Sequence, residues 1–494
     1  MQFSKSAVIK SLLWKFLERG GLQIVQFIIS IIVARILDPD DYGVMTIITV
    51  FTTIATVFVQ SGLGTALVQK KDADEVDFSS VLYYSLAIAG LTYILLFFSA
   101  PLIAQFYKMP ELIPLLRVMS LVLFPGALVT VQNASIAREM QFKKQFFSSM
   151  AAVFISGVLG IVLAFLNYGA WALVYQQISY QICTCIVLLF IIKWKPVLKF
   201  SYKKTIGLLK YGMRLLGARL IDTIYHNIEN LVIGKKYSSA TLAFFSKGKQ
   251  FPLIMIDNID GSIQSVMLPT FSSRQENIIE VKNLVRRTIS LSTFLVFPVM
   301  AGLAAIGSPL ISILLGEKWI FCVPFLQIYC LITALFPLQT ANLQAINAIG
   351  RSDVYLRLMT IKRLIGIAIL SIAVFCFKSV YAIAFSCLII EIISIVINIK
   401  PNKNLLGYTF REQMIDIVPN FLTSLLMGTI VYCITFIKLQ SFITMLFQII
   451  AGIAIYILTS KLFRLSNFSY LCDIFKSYIS KTTDVKKSSA ILRG

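Results

Sequence analysis

Histidine is almost missing from this chain: His226 is the only one in 494 residues. The eight cysteines form no CxxC pair, and most sit inside apolar runs (Cys183, Cys185, Cys322, Cys330, Cys376, Cys387, Cys433 and Cys472). That composition excludes a Cys/His zinc site and reads the cysteines as small, reduced core residues. No metal site and no cofactor is expected. A GxxxxGK[ST] phosphate loop is absent, so ATP hydrolysis of that kind is excluded. Nucleophile–base constellations are absent from the connecting segments as well. Charge is sparse: Asp, Glu, Lys and Arg make up 14% of the chain, against roughly 25% in soluble domains. Soluble multidomain and disordered proteins are thereby excluded. Apolar runs lack strict alternation, which excludes an outer-membrane barrel.

Apolar residues are abundant: 57% of the chain is hydrophobic and the mean hydropathy is +0.82. The expected fold is an all-α polytopic membrane protein, since a span needs about 20 apolar residues. Fourteen spans are expected, at about 11–36, 42–68, 78–106, 111–133, 146–168, 170–192, 205–234, 240–267, 284–314, 319–347, 353–377, 379–399, 414–437 and 440–461. The basic N-terminus lacks a small-residue cleavage site, so the first run reads as a retained span. Acidic residues number 23 against 45 basic ones, giving +22. In a membrane protein such an excess marks cytoplasmic loops rather than nucleic acid binding. With both termini cytoplasmic, the opposite loops hold only seven Lys or Arg: Arg35, Lys108, Lys235, Lys236, Lys318, Lys378 and Lys438.

A shift of 200 residues aligns the two halves. Arg19 meets Arg219, Gln23 meets Thr223, Gln26 meets His226 and Ser30 meets Asn230. ARILDPDDYGVM (34–45) meets GKKYSSATLAFF (234–245), and FPGALVTVQ (124–132) meets FPLQTANLQ (336–344) at a slightly larger shift. Parallel six-helix halves suit a two-lobed transporter. The expected division is an N-terminal lobe at 1–200, a C-terminal lobe at 201–400, two added spans at 401–465 and a basic cytoplasmic tail at 466–494.

Polar groups occupy one stripe of span 7. At 100° per residue, Thr223, His226 and Asn230 fall within about 40° of Arg219, and Asp222 and Glu229 within about 80°. Arg19, Gln23, Gln26 and Ser30 form the matching stripe in span 1. A charge near the bilayer centre costs roughly 3 kcal/mol on insertion scales, so these stripes face protein or a wet cavity. One reading has Arg19 and Arg219 lining a shared cavity, where guanidinium forks hold phosphate oxygens. The other pairs Arg219 with Asp222 or Glu229 as a structural bridge and leaves Arg19 at the interface. Glu18, Asp222 and Glu229 are candidates for a coupling proton or sodium ion. Span 8 adds Lys247, Lys249, Asp257 and Asp260. Gln132 and Gln344 follow prolines in spans 4 and 10, where a bend would present amides to sugar hydroxyls or to a neighbouring helix.

VARILDPDDYGVM, SGLGTALVQK (61–70), IAREMQFKK (136–144) and GARLIDTIYHNIENLVIGKKYSSATLAFFSKG (217–248) resemble bacterial polysaccharide flippases of the multidrug/oligosaccharidyl-lipid/polysaccharide exporter superfamily. The branch is the one labelled lipopolysaccharide biosynthesis or teichuronic acid export protein. The resemblance covers roughly residues 5 to 465. It implies a V-shaped pair of six-helix lobes around a central cavity, plus two helices. It also implies movement of undecaprenyl-diphosphate-linked oligosaccharide from the inner to the outer leaflet of the bacterial plasma membrane. Family members carry cationic cavity residues, and Arg19 and Arg219 best match that pattern. NIENLVIGKKY departs from the commoner Asp-Asn and Gly-Arg forms at Glu229 and Lys235 while keeping the charge type.

The expected function is a lipid-linked oligosaccharide flippase working by alternating access, not an enzyme. Its expected partners are the lipid-linked substrate, membrane lipids and glycan polymerases, with no nucleic acid; a monomer is compatible with the sequence. A cation-coupled exporter of small amphipathic molecules would need an acidic, aromatic cavity. A membrane-embedded glycan polymerase or ligase would need a large outer loop, and the connectors expected here are about a dozen residues at most, ordinary for plain links.

Overall fold

The computed structural model describes residues 5–60, 62–192, 194–437 and 440–473, and every regular element among them is helical. Hydrocarbon offers no partner to an open backbone N–H or C=O, so a helix that bonds within itself is the form such apolar runs must take. The chain is a multi-pass membrane protein: among the described residues, eleven helical segments are long and apolar enough to cross a bilayer. Three further long helices occupy the remaining expected intervals: α1 (Lys5–Ile36), α9 (Tyr202–Lys236) and α10 (Ser239–Ser272). These carry the polar stripes, with Arg214, Arg219, Asp222 and Glu229 on α9 and Lys247, Lys249, Asp257 and Asp260 on α10.

The chain forms two compact units, Met1–Ser246 and Lys247–Gly494. Between α1 and α9 the first holds α2 (Pro39–Gln60), α3 (Leu63–Gln69), α4 (Glu75–Tyr107), α5 (Leu112–Met119), α6 (Leu123–Glu139), α7 (Phe142–Phe165) and α8 (Ala170–Ile191). Buried small residues recur every fourth position along α7: Ser148, Ala152, Ser156, Gly160 and Ala164. That spacing keeps them on one face, and small side chains allow close helix approach in a membrane. A Cβ on Gly160 would lie 2.8 Å from the Gln176 side chain on α8. Leu22, Ile29 and Val33 of α1 complete this core with Val153 and Leu173.

At the other end of α1 the chain reverses through Asp38 into α2, whose Pro39 start needs no N–H donor. Asp40 accepts from the Ala240 N–H at 3.1 Å and from the Ser239 hydroxyl. It thus serves the open N–H groups at the start of α10. A Cβ on Gly43 would overlap the Ser239 backbone carbonyl. The two loops aligned by the 200-residue shift therefore touch.

The segment 194–201 is fastened to α4. Val197 and Ser201 donate their N–H groups to the Ser79 and Ser80 hydroxyls, each at 2.9 Å, and Tyr83 donates to the Val197 carbonyl. Asp74 and Asp77 cap α4 reciprocally. Lys70 reaches both oxygens of the fully buried Asp77 at 2.7 and 2.6 Å, and Lys204 reaches Asp74 at 2.5 Å. Arg138 donates to the carbonyls of Leu67, Lys70 and Lys71, closing the C-terminus of α3.

The second unit contains α11 (Ile278–Ala305), α12 (Gly307–Leu314), α13 (Val323–Ala334), α14 (Phe336–Ala348), α15 (Ser352–Cys376), α16 (Val380–Leu406), α17 (Phe410–Cys433) and α18 (Ser441–Leu462). Its core joins Val281, Val285 and Ile289 of α11 to Leu338 and Ala345 of α14, Ile399 of α16 and Ile417 of α17. Arg286 forks onto both oxygens of Asp416, at 2.8 and 2.7 Å, and the Tyr408 hydroxyl donates to the same carboxylate. Residues 466–473 are helical. Asn467 donates to Ser290, and Arg287 lies 3.9 Å over the Tyr470 ring. Residues 474–494, the rest of the expected tail, lie outside the described residues.

Two outcomes follow. Gly43→Ala must push backbone from backbone, so it should lower stability by about 1–3 kcal/mol. Gly20→Ala, with nothing within 4 Å of the added carbon, should be neutral or mildly stabilising. Thermal unfolding in one detergent compares them, and equal melting temperatures would refute the close approach. Lys204 is the main cause holding the Asp74 carboxyl down at about 2, from 3.8. A depressed carboxyl stabilises the fold above its unfolded value and loses that contribution as pH falls through its folded value. The Asp74 contribution should therefore be constant from neutrality down to about pH 4 and fade towards pH 2. Comparing Asp74→Asn with the parent across that range checks the window, and added salt should shrink the difference because the pair is exposed.

Candidate functional site

Gly62 stands between α2 and α3 with a φ of 66°, a left-handed conformation that glycine adopts without penalty. A Cβ there would lie 2.9 Å from the Gly212 carbonyl and from Leu215 of α9. The break turns Gln60, Thr65 and Val68 towards α6 and α9. Gly64 allows a second close approach, since its Cβ would meet Thr130 Cγ2 at 3.1 Å. Between these helices lies a cavity of about 410 Å³, lined by Gln60, Gly62, Gly64, Thr65, Val68, Thr130, Asn133, Ala134 and Arg219. That size falls towards the lower end of ligand pockets, roughly 300–1,000 Å³.

The lining is polar in a defined way. Among the described residues, no hydrogen bond or ion pair holds the Arg219 guanidinium. Asn133 Oδ1 is buried without a hydrogen-bond partner. Thr130 donates to the Gly126 carbonyl of its own helix at 2.8 Å, leaving its oxygen able to accept. No carboxylate is among the lining residues. One cation, two amides and two hydroxyls around this cavity suit a ligand that is anionic and rich in hydroxyl groups.

The other sequence candidates are distributed as follows. The pairing of Arg219 with Asp222 or Glu229 is not present. Asp222 instead stands 3.6 Å from His226, with both side chains at least half exposed. Thr223 is half-buried and its carbonyl accepts from Asn227 at 2.8 Å; Asn230 is buried. Glu229 is half-buried, as is Gln23 on α1, while Gln26 is exposed. The side chains of Glu18 and Arg19 lie outside the described residues. Gln132 does not line the cavity: it is buried and donates to the Cys185 carbonyl on α8 at 3.3 Å. Its neighbour Asn133 lines the cavity instead. Gln344 belongs to the second unit, half-buried, with an unpartnered buried Oε1. Gln60, Thr65, Thr130 and Asn133 were not singled out by the sequence. The signal available for them was the SGLG interruption inside an apolar run.

A family model described as polysaccharide biosynthesis protein matches residues 32–324, more than half of the chain. The succinoglycan biosynthesis transport protein ExoT of Rhizobium meliloti (strain 1021) is 24% identical over 70% of each chain. The lipopolysaccharide biosynthesis protein WzxC of Escherichia coli (strain K12) is 21% identical over 82% of each. The fold is similar to that of the lipid II flippase MurJ, solved in an inward closed conformation, with a TM-score of 0.75 at 19% identity over 92% of this chain and 98% of that one.

Thiol accessibility tests the cavity. Thr65→Cys and Asn133→Cys should react with a membrane-impermeant, thiolate-selective reagent roughly tenfold faster than Gln132→Cys, each corrected for the parent cysteines, because labelling needs water and access. Equal rates at all three positions would show that the cavity is dry.

Proposed function

The chain belongs to the polysaccharide biosynthesis protein family, and on that premise we propose that it is a flippase of the multidrug/oligosaccharidyl-lipid/polysaccharide exporter superfamily. It carries undecaprenyl-diphosphate-linked oligosaccharide from the inner to the outer leaflet of the bacterial plasma membrane, for lipopolysaccharide or related surface glycans. The observation that carries this reading is the unpaired Arg219 guanidinium on a cavity lined otherwise by amides, hydroxyls and apolar atoms. A guanidinium offers two parallel N–H donors to diphosphate oxygens and stays charged when water is displaced. Asn133, Gln60 and Thr65 supply donors and acceptors to the sugar next to the diphosphate. The polyprenyl tail stays in lipid, so the glycan crosses without meeting hydrocarbon.

Support for transport rather than catalysis comes from relatives named as transport and biosynthesis proteins and from a flippase fold. In this reading the lobes are 1–200 and 201–400, with 401–465 added and both termini cytoplasmic. Arg19 contributes the matching cation from the first half. Alternating access exposes the cavity to each side in turn. Glu18, Asp222 and Glu229 remain proposed coupling groups. A drug exporter of the same fold would place acidic and aromatic side chains in the cavity, and the lining residues include neither.

Replacing Arg219 with Ala removes charge-assisted bonds of about 1.5–3 kcal/mol, so outer-leaflet delivery of the lipid-linked glycan should fall roughly 10- to 100-fold. Arg219→Lys should recover part of it, since a point charge lacks the fork. Wild-type delivery by Arg219→Ala at equal protein level would remove this residue from the mechanism.

A further inference from the structure

The second unit holds a buried carboxylate that the binding cavity does not use. Asp260 on α10 is 9% exposed. Its Oδ2 accepts from Gln264 Nε2 at 2.8 Å and from the Thr340 hydroxyl of α14 at 2.9 Å. Its Oδ1 is buried and has no hydrogen-bond partner. Beside Thr340, Gln339 begins a row of buried amides. Gln339 Oε1 accepts from Lys362 of α15 at 3.2 Å and from Asn398 of α16 at 3.0 Å. Asn402, one turn further on α16, donates to Asn342 Oδ1 at 2.7 Å, and Asn342 exchanges two 3.1 Å bonds with Gln413 of α17. Along this row Gln339 Nε2, Asn398 Oδ1 and Asn402 Oδ1 are buried without a hydrogen-bond partner.

An ionised carboxylate with one bare oxygen in a membrane interior is costly, and protonation removes the charge. Buried amide atoms without protein partners are where ordered water sits. We propose that Asp260 is a proton-binding site of the second unit, reached through water bridging the amides of α14 and α16. No group of three or more His, Cys, Asp or Glu suited to a metal ion occurs among the described residues. The titratable group that acts on Asp260 is Asp257 on α10; along the amide row, Lys362 of α15, bonded to Gln339, feels Glu391 of α16 and Arg363 of its own helix. Proton uptake at Asp260 gives a transporter without a nucleotide site a means of drawing on a proton gradient; only that last step rests on the flippase reading.

Infrared difference spectroscopy of the purified full chain in lipid nanodiscs tests the site without any substrate. The protein should show a protonated-carboxyl band that shifts in heavy water and fades as pH rises. The band should be lost in Asp260→Asn and kept in Asp257→Asn and Arg219→Ala. Its survival in Asp260→Asn would overturn the proposal, as would its removal by sodium chloride at fixed pH, which marks a sodium site. If Asp260→Asn does not fold, Thr340→Val serves: losing one hydrogen bond to the carboxyl should move the pH at which the band fades by about one unit. An unmoved band would refute the assignment. Because Arg219→Ala keeps the band, failure of the flippase reading and failure of this site are told apart.

Discussion

A guanidinium left alone in hydrocarbon is among the most expensive arrangements a membrane protein can hold, and the way this chain treats its arginines organises the rest. Arg117 on α5 donates to the Phe97 carbonyl and lies 4.0 Å over the Phe97 ring. Arg138 is consumed by three carbonyls at the end of α3, and Arg286 by both oxygens of Asp416. Arg219 has no such partner among the described residues. Its cost is tolerable only beside water, and the first unit supplies a polar cavity at that place. Solvent, not a protein partner, therefore meets this charge when no ligand does.

The cavity exists because backbones approach closely around it. Gly62 and Gly64 let α3 lie against α9 and α6 at distances that a Cβ would forbid or strain. The small-residue face of α7 lets α1 and α8 pack closely against it. Gly43 seats the start of α2 on Ser239, where Asp40 caps α10. Small residues here set the spacing of helices, and that spacing leaves room for a ligand at one place and none at another.

Much of this fold was legible in the sequence. Apolar runs and the sparse charge gave an all-α membrane protein with helices at the expected intervals, because hydropathy and backbone satisfaction are local properties. The 200-residue shift paired Asp40 with Ala240, and those positions bond. The site was less legible. Arg219 stood out because a charge in a span is rare, but its neighbours did not. Gln132 and Asn133 differ by 100° of rotation, and no single-helix pattern says which of the two faces α8. The turn at Gly62 hides inside an apolar run long enough to pass for one straight helix. Thr65 and Gln60 become neighbours of Arg219 only through that turn, which is a tertiary fact.

The two units answer one constraint in different ways. In the second, buried amides are knitted into a row in which Asn342 and Gln413 satisfy each other completely on one edge. Such reciprocal pairs fix helix positions and leave little free hydrogen-bonding capacity. Further along, Gln339, Asn398 and Asn402 each keep one unpaired atom. In the first unit, the unpaired groups include a cation and an amide at a cavity wall. A polar group paired within the protein adds stability but cannot bind anything else, whereas an unpaired one lowers stability and keeps its bonding capacity for a ligand. The free Asn133 and Arg219 thus mark where this chain gives up stability to retain binding capacity, while the filled arginines and the Asn342–Gln413 pair mark where it does not.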